Sequence, residues 1–492
     1  MVSDHAEKLL DIGDVLNGET SIFFPRNTGR EAFQMYLTAA VIKIFGTGLT
    51  FLSLKIGTTL AGLVTLVYIY LLGKEIGNQR IGLLAALFTG MAYWPNVITR
   101  IALRFTLSPL FVAPVLYYLI RGIRRSNVND FILAGLALGI GLHGYSPFRV
   151  MPFIVLVAVG IYLLHRSARG NRRLVLQGLI PLALISICVF LPLLHYAVDE
   201  PVMFGYRTLT RIGDLERPLP GPAWQIFLKN SWNAIAMYSW DDGEIWPISV
   251  THRPVLDVVS GALFHLGIIL LLVRYIKRRG WVIVLLILSF YLLMLPSIMS
   301  LAFPAENPAV NRAAGAIVPV FLIVGIALDG LISAVQSRLP SAAGVRLAWG
   351  LAGVLVLFSA LQNYDLVFRQ YQRSYEQSSW NTSEIGQVIR NFTTTIGSRD
   401  SAWVVGFPYW VDTRLVGINA GFPEKDYVIR TEQFKSTLDV PGAKLFILNL
   451  QDTTSLAELQ SLYPNSSLQE YQSHIPDKDF YMLFVPPEAP LP

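Results

Sequence analysis

Long apolar segments separated by short polar connections make up most of the chain up to residue 363. A membrane-spanning helix needs about 20 mostly apolar residues, and ten segments approach that length. We therefore predict about ten membrane spans, at 50–73, 81–98, 105–120, 131–147, 150–164, 174–197, 255–273, 281–303, 313–334 and 345–363. The pattern indicates a polytopic α-helical membrane protein.

The apolar run at 32–46 differs from these segments because it is shorter and contains Lys43. A crossing there would invert every later loop, so we expect an interfacial helix. Residues 1–49 then form a first extracytoplasmic loop, and residues 50–363 form a transmembrane domain. The acidic amino-terminal segment has no signal peptide before it, so we also expect a first span that this sequence lacks.

Basic residues concentrate in alternate short connections, which the positive-inside rule places in the cytoplasm. They are Lys74, Arg80, Arg121, Arg124, Arg125, Arg166, Arg169, Arg172, Arg173, Arg274, Lys277, Arg278, Arg279, Arg338 and Arg346. The net charge of +6 is thus a topology signal, and no nucleic-acid partner is expected. Both termini and a long outer loop at 198–254 are predicted to be extracytoplasmic.

The composition agrees with a membrane protein, since 53% of residues are hydrophobic and 15% are charged. Soluble domains carry about 25% charged residues, so a soluble enzyme is excluded for most of the chain. The single cysteine, Cys188, excludes an intrachain disulfide framework and a cysteine-type zinc or iron–sulfur site.

From residue 364 to 492 the long apolar segments end and ordinary charge density returns. Predicted strands at AWVVGF, AKLFILNL and DFYMLFV alternate with predicted helices at EIGQVIRNFTTTI and SLAELQSLY. This alternation predicts a small extracytoplasmic α/β domain. Within it, the segment FPYWVDTR at 407–414 either contacts an acceptor or forms a buried strand with a turn.

Acidic residues cluster in the amino-terminal segment SDHAEKLLDIGDVLNGE. Asp4 and Glu7 have helical spacing and share one face of a helix. A carboxylate at a membrane surface is suited to act as general base for an incoming hydroxyl group. The alternative is a solvated acidic loop without a catalytic role.

Four arginines lie in apolar surroundings near the predicted outer surface: Arg100, Arg104, Arg149 and Arg312. Ionisable residues that border a span usually face a cavity or a partner, and the guanidinium group matches phosphate oxygens. Their position predicts a phosphate site. The competing interpretation is that each side chain reaches towards lipid headgroups.

The outer loop combines Trp240, Asp241, Asp242 and His252. An aromatic face beside hydroxyl acceptors suits a sugar or acceptor group, although tryptophans at a membrane surface also form an ordinary aromatic belt. With Glu244, these residues include oxygen ligands that a divalent metal accepts. Their spacing fits no specific ligand pattern, so no metal or other cofactor is expected.

The segment IFFPRNTGREAFQMYLTAAVIKIFGTGLTFLSLKIGTTLAGL, with the acidic segment before it, resembles the front of GT-C superfamily glycosyltransferases. The resemblance is to glycosyltransferase family 39, the dolichyl-phosphate-mannose–protein mannosyltransferase-like proteins. The blocks TRIALRFTLSP, GLHGYSPFRVMP, RPVLDVVSGALFHLG and NRAAGAIVP resemble later landmarks of that family. The resemblance covers roughly residues 1–365 and implies a GT-C-like transmembrane domain.

The resemblance implies an enzyme in the bilayer that takes a sugar, mannose or a similar hexose, from a polyprenyl-phosphate donor. The acceptor is a hydroxyl group on a protein, lipid or glycan at the extracytoplasmic face. Asp4 takes the position of the first acid of the family's acidic pair, but His5 stands where many members have glutamate. The base is therefore Asp4 or Glu7, and the four arginines bind the lipid phosphate during an inverting displacement.

Two other classes of function remain open from the sequence. A transporter or flippase for lipid-linked glycans would place polar residues near the bilayer midplane, whereas here they gather at one surface. A polymerase or ligase that joins preassembled glycans shares the many-span plan and the outer loop.

Overall fold

The computed structural model describes residues 2–165 and 171–487 of the 492-residue chain. Arg166 and Arg169, two members of the predicted cytoplasmic set, lie outside the described residues. The chain forms two compact units. Unit 1 comprises Met1–Glu19, Thr38–Ser53 and Arg373–Pro492, and unit 2 comprises Thr20–Leu37 and Leu54–Gln372. The division at 1–49, 50–363 and 364–492 stays a prediction.

Twenty α-helices run through the described residues. They are α1 (Ser3–Leu16), α2 (Phe33–Phe45), α3 (Phe51–Ile76), α4 (Gln79–Met91), α5 (Tyr93–Arg100), α6 (Leu107–Arg125), α7 (Val128–Gly141), α8 (Met151–Leu164), α9 (Arg172–Asp199), α10 (Pro201–Ile212), α11 (Ala223–Ala236), α12 (Val258–Arg278), α13 (Trp281–Leu292), α14 (Leu295–Ile298), α15 (Ile317–Arg338), α16 (Ala342–Asp365), α17 (Tyr371–Ser378), α18 (Thr382–Thr395), α19 (Thr413–Ala420) and α20 (Thr453–Leu462). A π-helical turn, Leu366–Gln370, joins α16 to α17.

Seven strands accompany them in the described chain. They are β1 (Phe23–Phe24), β2 (Arg30–Glu31), β3 (Ala402–Val405), β4 (Val428–Ile429), β5 (Lys444–Asn449), β6 (Ser467–Tyr471) and β7 (Phe480–Val485).

Eight helical segments of the described chain are long and apolar enough to span a membrane, and α4 with α5 passes the same test only as a bent pair. The eight segments confirm eight of the predicted spans by length and composition, and the bent pair coincides with the prediction at 81–98. The remaining prediction, 131–147, corresponds to α7, which has 14 residues and ends at Gly141. At 1.5 Å per residue α7 is about 21 Å long, shorter than the ~30 Å apolar core of a bilayer. The predicted run was too long because the chain turns within HGYSP.

The break between α4 and α5 bends the pair by 52°. Ala92 is extended at the break, with ψ at 147°, and Pro95 follows in the first turn of α5, where it has no N–H to donate. The Tyr93 N–H donates to Asn363 Oδ1 of α16 at 2.6 Å. A side chain from another helix thus satisfies a backbone group that the break leaves open.

Helices α6 and α15 form the centre of unit 2, since about nine tenths of the apolar window of each is buried. Helices α4, α12 and α16 pack against α15, and α7 packs against both α6 and α9. Gly135 allows the close approach of α7 to α9, because a Cβ there would lie 2.4 Å from the Leu182 carbonyl oxygen. The outer helices α9 and α16 have mostly exposed apolar faces.

Unit 1 contains a five-stranded sheet with the order β4-β3-β5-β7-β6. Strand β3 is parallel to β4 and β5, whereas β7 is antiparallel to β5 and β6. The three predicted strands and two predicted helices of the α/β domain are confirmed. Strands β4 and β6 were not predicted, because β4 has two residues and β6 (SLQEY) is mostly polar and exposed.

The segment 407–414 is a turn followed by the start of α19, so the alternative of a buried strand is wrong. Asp412 caps α19 by accepting a hydrogen bond from the Arg414 N–H at 3.1 Å. An aspartate immediately before a helix is a strong N-cap signal, which explains the helix.

Candidate active site

Helix α1 of unit 1 carries both predicted bases. Ala6, Leu9 and Ile12 recur at helical spacing and are fully buried, which fixes one face of the helix against its surroundings. Asp4 lies in the first turn and is half-buried. The amino-terminal end of the helix dipole favours a negative side chain at this position.

Glu7, the other predicted base, pairs with Arg414 of α19. The Arg414 guanidinium donates from Nη1 to Glu7 Oε1, and from Nη2 to Asp412 Oδ2 at 2.8 Å. The hydrogen bond to Asp412, with the one to Glu7, raises the pKa of Arg414 above its ordinary high value. Glu7 is thus paired with a permanent cation, and this ion pair connects α1 to α19 within unit 1.

In unit 2, Glu31 of β2 is fully buried and accepts three hydrogen bonds. The donors are Arg104 Nη1 at 3.1 Å, Arg149 Nη2 at 2.9 Å and Ser146 Oγ at 2.7 Å. Burial acts to raise the pKa of the Glu31 carboxyl, but Arg104, Arg149 and Ser146 together hold it below its ordinary value. This group, which we term the Glu31 centre, unites two of the predicted phosphate-binding arginines around an anion that the protein itself supplies.

A second arginine group surrounds Glu306, whose side chain is 33% exposed. Arg312 donates to Glu306 and, from Nη1, to Ser300 Oγ at 2.8 Å, and Arg211 of α10 lies 3.2 Å from Glu306. Arg211 and Arg217 also lie over the Phe303 ring at 3.9 and 3.7 Å. We term Glu306, Arg211, Arg217 and Arg312 the Glu306 centre. Its guanidinium groups outnumber its carboxylate and are partly open.

Tyr145 links the two centres electrostatically. The Arg104 guanidinium lies 5.3 Å from the Tyr145 ring centroid. Burial raises the pKa of the Tyr145 phenol, while Arg104, Arg312 and Arg207 act against that increase. Arginines of both centres therefore act on one buried phenol.

Arg100, the fourth predicted arginine, has a different environment within unit 2. It donates from Nη2 to Gln372 Oε1 at 2.8 Å and lies 4.9 Å from the Phe368 ring centroid. These contacts connect the end of α5 to the π-helical turn and α17. Arg100 is not among the hydrogen-bonding groups of either centre.

The predicted sugar-binding residues separate into an exposed set and a buried one. Trp240 is 79% exposed, and His252 Nδ1 lies 3.3 Å from Asp241 Oδ2 at the surface. Asp242 is buried, and Tyr93 donates to its Oδ2 at 3.2 Å. Burial raises the pKa of Asp242 to about 7, although Arg253 opposes the shift. Asp242 is therefore a buried structural residue of the loop, whereas Asp241 and His252 lie at its surface.

In the described parts of the chain, no three histidine, cysteine, aspartate or glutamate side chains come together as metal ligands. Asp241, Asp242 and His252 do not form such a group, because the Asp242 carboxylate accepts a hydrogen bond from Tyr93.

The comparisons with known proteins agree with this architecture. Residues 33–196 match the family model described as dolichyl-phosphate-mannose-protein mannosyltransferase. The structure of AglB, an oligosaccharyltransferase from Archaeoglobus fulgidus in complex with an inhibitory peptide and a dolichol-phosphate, aligns with a TM-score of 0.56 at 12% identity. That alignment covers 99% of this chain and 71% of AglB.

ArnT from Cupriavidus metallidurans, bound to undecaprenyl phosphate, aligns with a TM-score of 0.55 at 11% identity, over 98% of this chain and 93% of ArnT. The chain therefore has the fold of these two proteins, and residues 33–196 of it match the mannosyltransferase family model. A peptide-tethered structure of the Archaeoglobus fulgidus oligosaccharyltransferase gives a TM-score of 0.51 at 16% identity, over 80% of this chain. In that alignment the chain spans about half (53%) of the archaeal protein. No curated protein matches the chain.

The residues that match the family model include Arg100, Arg104 and Arg149, whereas Asp4 and Arg312 lie outside them. At these low identities the structural alignments establish the fold, and the many apolar helices, with the family match, support an integral membrane protein. The roles of the individual side chains depend on the contacts described above.

Sequence reasoning missed Glu31 and Arg211. Glu31 is a lone acid within the block NTGREAF, and nothing local indicates that two distant arginines converge on it. Arg211 could have been found from the sequence, because Arg207 and Arg211 are four residues apart in GYRTLTRI and share one face of α10. That spacing in an outer loop indicates a cationic helix face.

Proposed function

We propose that the protein transfers a hexose such as mannose from a polyprenyl-phosphate donor to a hydroxyl acceptor at the extracytoplasmic face. The observation that carries the proposal is the partly open Glu306 centre within a GT-C fold, where Arg211 and Arg312 share one carboxylate. Guanidinium groups at the edge of a low-dielectric region bind a phosphate strongly. AglB and ArnT support the class of donor, since their structures contain a dolichol-phosphate and undecaprenyl phosphate.

In the proposed step, the acceptor oxygen attacks the anomeric carbon of the donor sugar while Asp4 takes the hydroxyl proton. The bond between that carbon and the phosphate oxygen breaks, and the lipid phosphate leaves with the electron pair. One displacement inverts the anomeric configuration. We assign the base to Asp4, which lies half-buried in the first turn of α1, and Glu7, which pairs with Arg414, is the second candidate.

Arg312 and Arg211 stabilise the leaving phosphate in this proposal, and Arg104 and Arg149 add to the local positive potential from the Glu31 centre. Arg100 is a more distant contributor. Trp240, Asp241 and His252 provide an exposed surface for the sugar or the acceptor, and Asp242 supports it from below. Because arginines can stabilise the leaving group, no metal is required, and chelation with EDTA should leave the rate unchanged.

The test uses the full chain in nanodiscs supplied with radiolabelled polyprenyl-phosphate hexoses. We expect transfer to added acceptors or slow donor hydrolysis, and Asp4→Asn should reduce either rate at least a hundredfold. Asp14→Asn on the same helix is the matched control and should retain near-normal activity. Movement of the intact donor across sealed vesicles without sugar transfer would instead identify a flippase, and an unchanged rate in Asp4→Asn would refute the assigned base.

A further inference from the structure

A cavity of about 550 Å³ lies in unit 2, between the first turns of α12 and the end of α16. Ligand sites usually enclose about 300–1,000 Å³, so the cavity has the size of a ligand site. Gly261 and His265 line one wall, and Gln362, Asp365 and Gln370 line the other. None of these residues belongs to the Glu31 or Glu306 centre.

Gly261 has no packing reason to be glycine. A Cβ at this position would find only Leu256 Cβ at 3.9 Å and the Tyr238 carbonyl oxygen at 4.0 Å. Glycine is a poorer helix former than alanine, and here no neighbouring helix requires it. The space beside Gly261 belongs to the cavity.

The opposite wall is formed where α16 passes into the π-helical turn Leu366–Gln370. Such turns are rare and occur frequently at functional sites. This one brings Gln370 back towards Asp365, with Gln370 Nε2 donating to Asp365 Oδ2 at 2.8 Å. The irregular backbone therefore arranges polar groups on the cavity wall.

Two residues on the wall have hydrogen-bonding capacity that the described protein does not use. Arg253 Nη1 and Gln362 Oε1 are buried and form no hydrogen bond within the described chain. A buried polar group of this kind requires a partner. One is a donor and the other an acceptor, so hydroxyl groups, which both donate and accept hydrogen bonds, are suitable partners.

The charges on the wall do not suit an anion. One arginine, Arg253, and two aspartates, Asp257 and Asp365, are among the lining residues. His265 Nδ1 lies 2.7 Å from the Gly261 carbonyl oxygen, which only accepts, so Nδ1 carries the proton. His265 Nε2 lies 3.3 Å from Ser239 Oγ. The lining is rich in polar groups without a surplus of positive charge.

The two helices that line the cavity also carry exposed apolar side chains. On the same two helices, Val258 is 70% exposed and Leu361 is 60% exposed. A ligand here has its polar part among Arg253, Gln362 and Asp365, beside surface that suits acyl chains. We propose that this cavity binds the neutral, polyhydroxylated headgroup of a membrane lipid.

The test uses the full chain in phosphatidylcholine vesicles that contain a glucosyl diacylglycerol with a photoactivatable acyl chain. We expect light-dependent labelling of peptides that include residues 253–265 and 362–370, competed by unlabelled glucosyl diacylglycerol. Phosphatidic acid with the same photoactivatable chain should label these peptides at least tenfold less. Equal labelling by the two lipids would overturn the proposed headgroup class.

Gly261→Leu fills the cavity and should reduce labelling at least tenfold. Gly353→Leu is the matched control, because Gly353 also lies on a span with no atom within 4 Å of its Cβ position and should leave labelling unchanged. If Gly261→Leu does not fold, Gln362→Met removes hydrogen bonding at similar size and should reduce labelling as well. Full labelling in the folded variants would refute the site. Because Asp4→Asn should bind the lipid normally, the result is independent of the proposed transferase activity.

Discussion

The Glu31 and Glu306 centres each gather arginines around one glutamate, yet they differ in exposure. Glu31 is fully buried, and its three donors come from side chains that are mostly buried themselves. Glu306 is one-third exposed, and Arg211 is exposed to a similar degree. In the Glu31 centre the carboxylate occupies the place that a ligand anion would need, whereas the Glu306 centre has open guanidinium surface.

Because of this difference in exposure, arginines near a membrane surface are not equally strong evidence for a phosphate site. Arg104 and Arg149 neutralise a carboxylate that cannot leave, so their first role is to hold β2 against the ends of α6 and α8. Arg211 and Arg312 share an anion that solvent already reaches. The comparison predicts a structural role for the first pair and a ligand-binding role for the second.

The largest expected effect is on stability. Glu31→Gln leaves two buried guanidinium groups without their anion, and breaking a buried ion pair in this way costs about 3–5 kcal/mol. Glu306→Gln disrupts a partly exposed pair, which costs about 1 kcal/mol or less. Unfolding of both variants in one detergent measures the difference. Equal losses would show that the two centres do not differ as described.

The next effect is on catalysis, where the order should be reversed. Arg312→Gln, which keeps the side chain polar, should lower kcat by about 10²–10³, as loss of one transition-state donor does. Arg211→Gln should have a similar but smaller effect, because it is more exposed. Arg100→Gln serves as the comparison, since Arg100 is engaged with Gln372 and Phe368.

Initial rates with a saturating donor separate kcat from KM for these three variants. A loss in Arg100→Gln as large as that in Arg312→Gln would move the phosphate site to α5. Normal transfer by Arg312→Gln would remove the Glu306 centre from the mechanism.

A third carboxylate, that of Asp242, extends the comparison to the dependence of stability on pH. Asp242 is buried like Glu31, but burial raises its pKa from 3.8 to about 7 because Arg253 only partly offsets it. The folded protein then holds a proton that the unfolded chain releases. This contribution to stability is complete below pH 3.8 and is lost as pH rises through about 7.

Asp242→Asn should therefore remove part of the destabilisation that wild type shows between pH 4 and pH 8. The expected difference is on the order of a few kcal/mol, at 1.36 kcal/mol per pKa unit. Parallel unfolding curves for both proteins across this pH range measure it. A constant difference between them would show that Asp242 does not titrate there.

The smallest expected effect concerns the ion pair between Glu7 and Arg414. Arg414→Gln should destabilise α1 by about 1 kcal/mol, since the pair is partly exposed. Arg414→Lys should restore part of the loss, because it keeps the charge without the second hydrogen bond to Asp412. Hydrogen exchange of residues 3–16 measures both. If exchange is unaffected, the pair does not hold α1.

The sequence predicted the parts of this fold that repeat a simple pattern. Eight spans and the three main strands of the α/β domain follow from apolar length and periodicity, which the local chain determines. The 14-residue length of α7 did not follow, because apolar residues continue beyond Gly141 while the backbone turns. The burial of Asp242 was also missed, because it depends on Tyr93, which is 149 residues away.

The candidate site shows the same limit. Composition and position singled out Arg149 and Arg312, but their partners, Glu31 and Glu306, decide what each arginine is able to bind. Those partners are brought together by packing of distant segments. A list of charged residues near one membrane surface therefore contains both ligand-binding and structural members.

At the bend between α4 and α5, the open backbone N–H group is satisfied by one side-chain amide, that of Asn363. Its oxygen receives the Tyr93 N–H, and its nitrogen donates to Asp257 Oδ2, the cap of α12, at 2.9 Å. Aspartate at 363 would lose the donor and place two carboxylates together, and leucine would lose both functions. Three helices, α5, α12 and α16, thus meet at one side chain whose amide supplies both an acceptor and a donor.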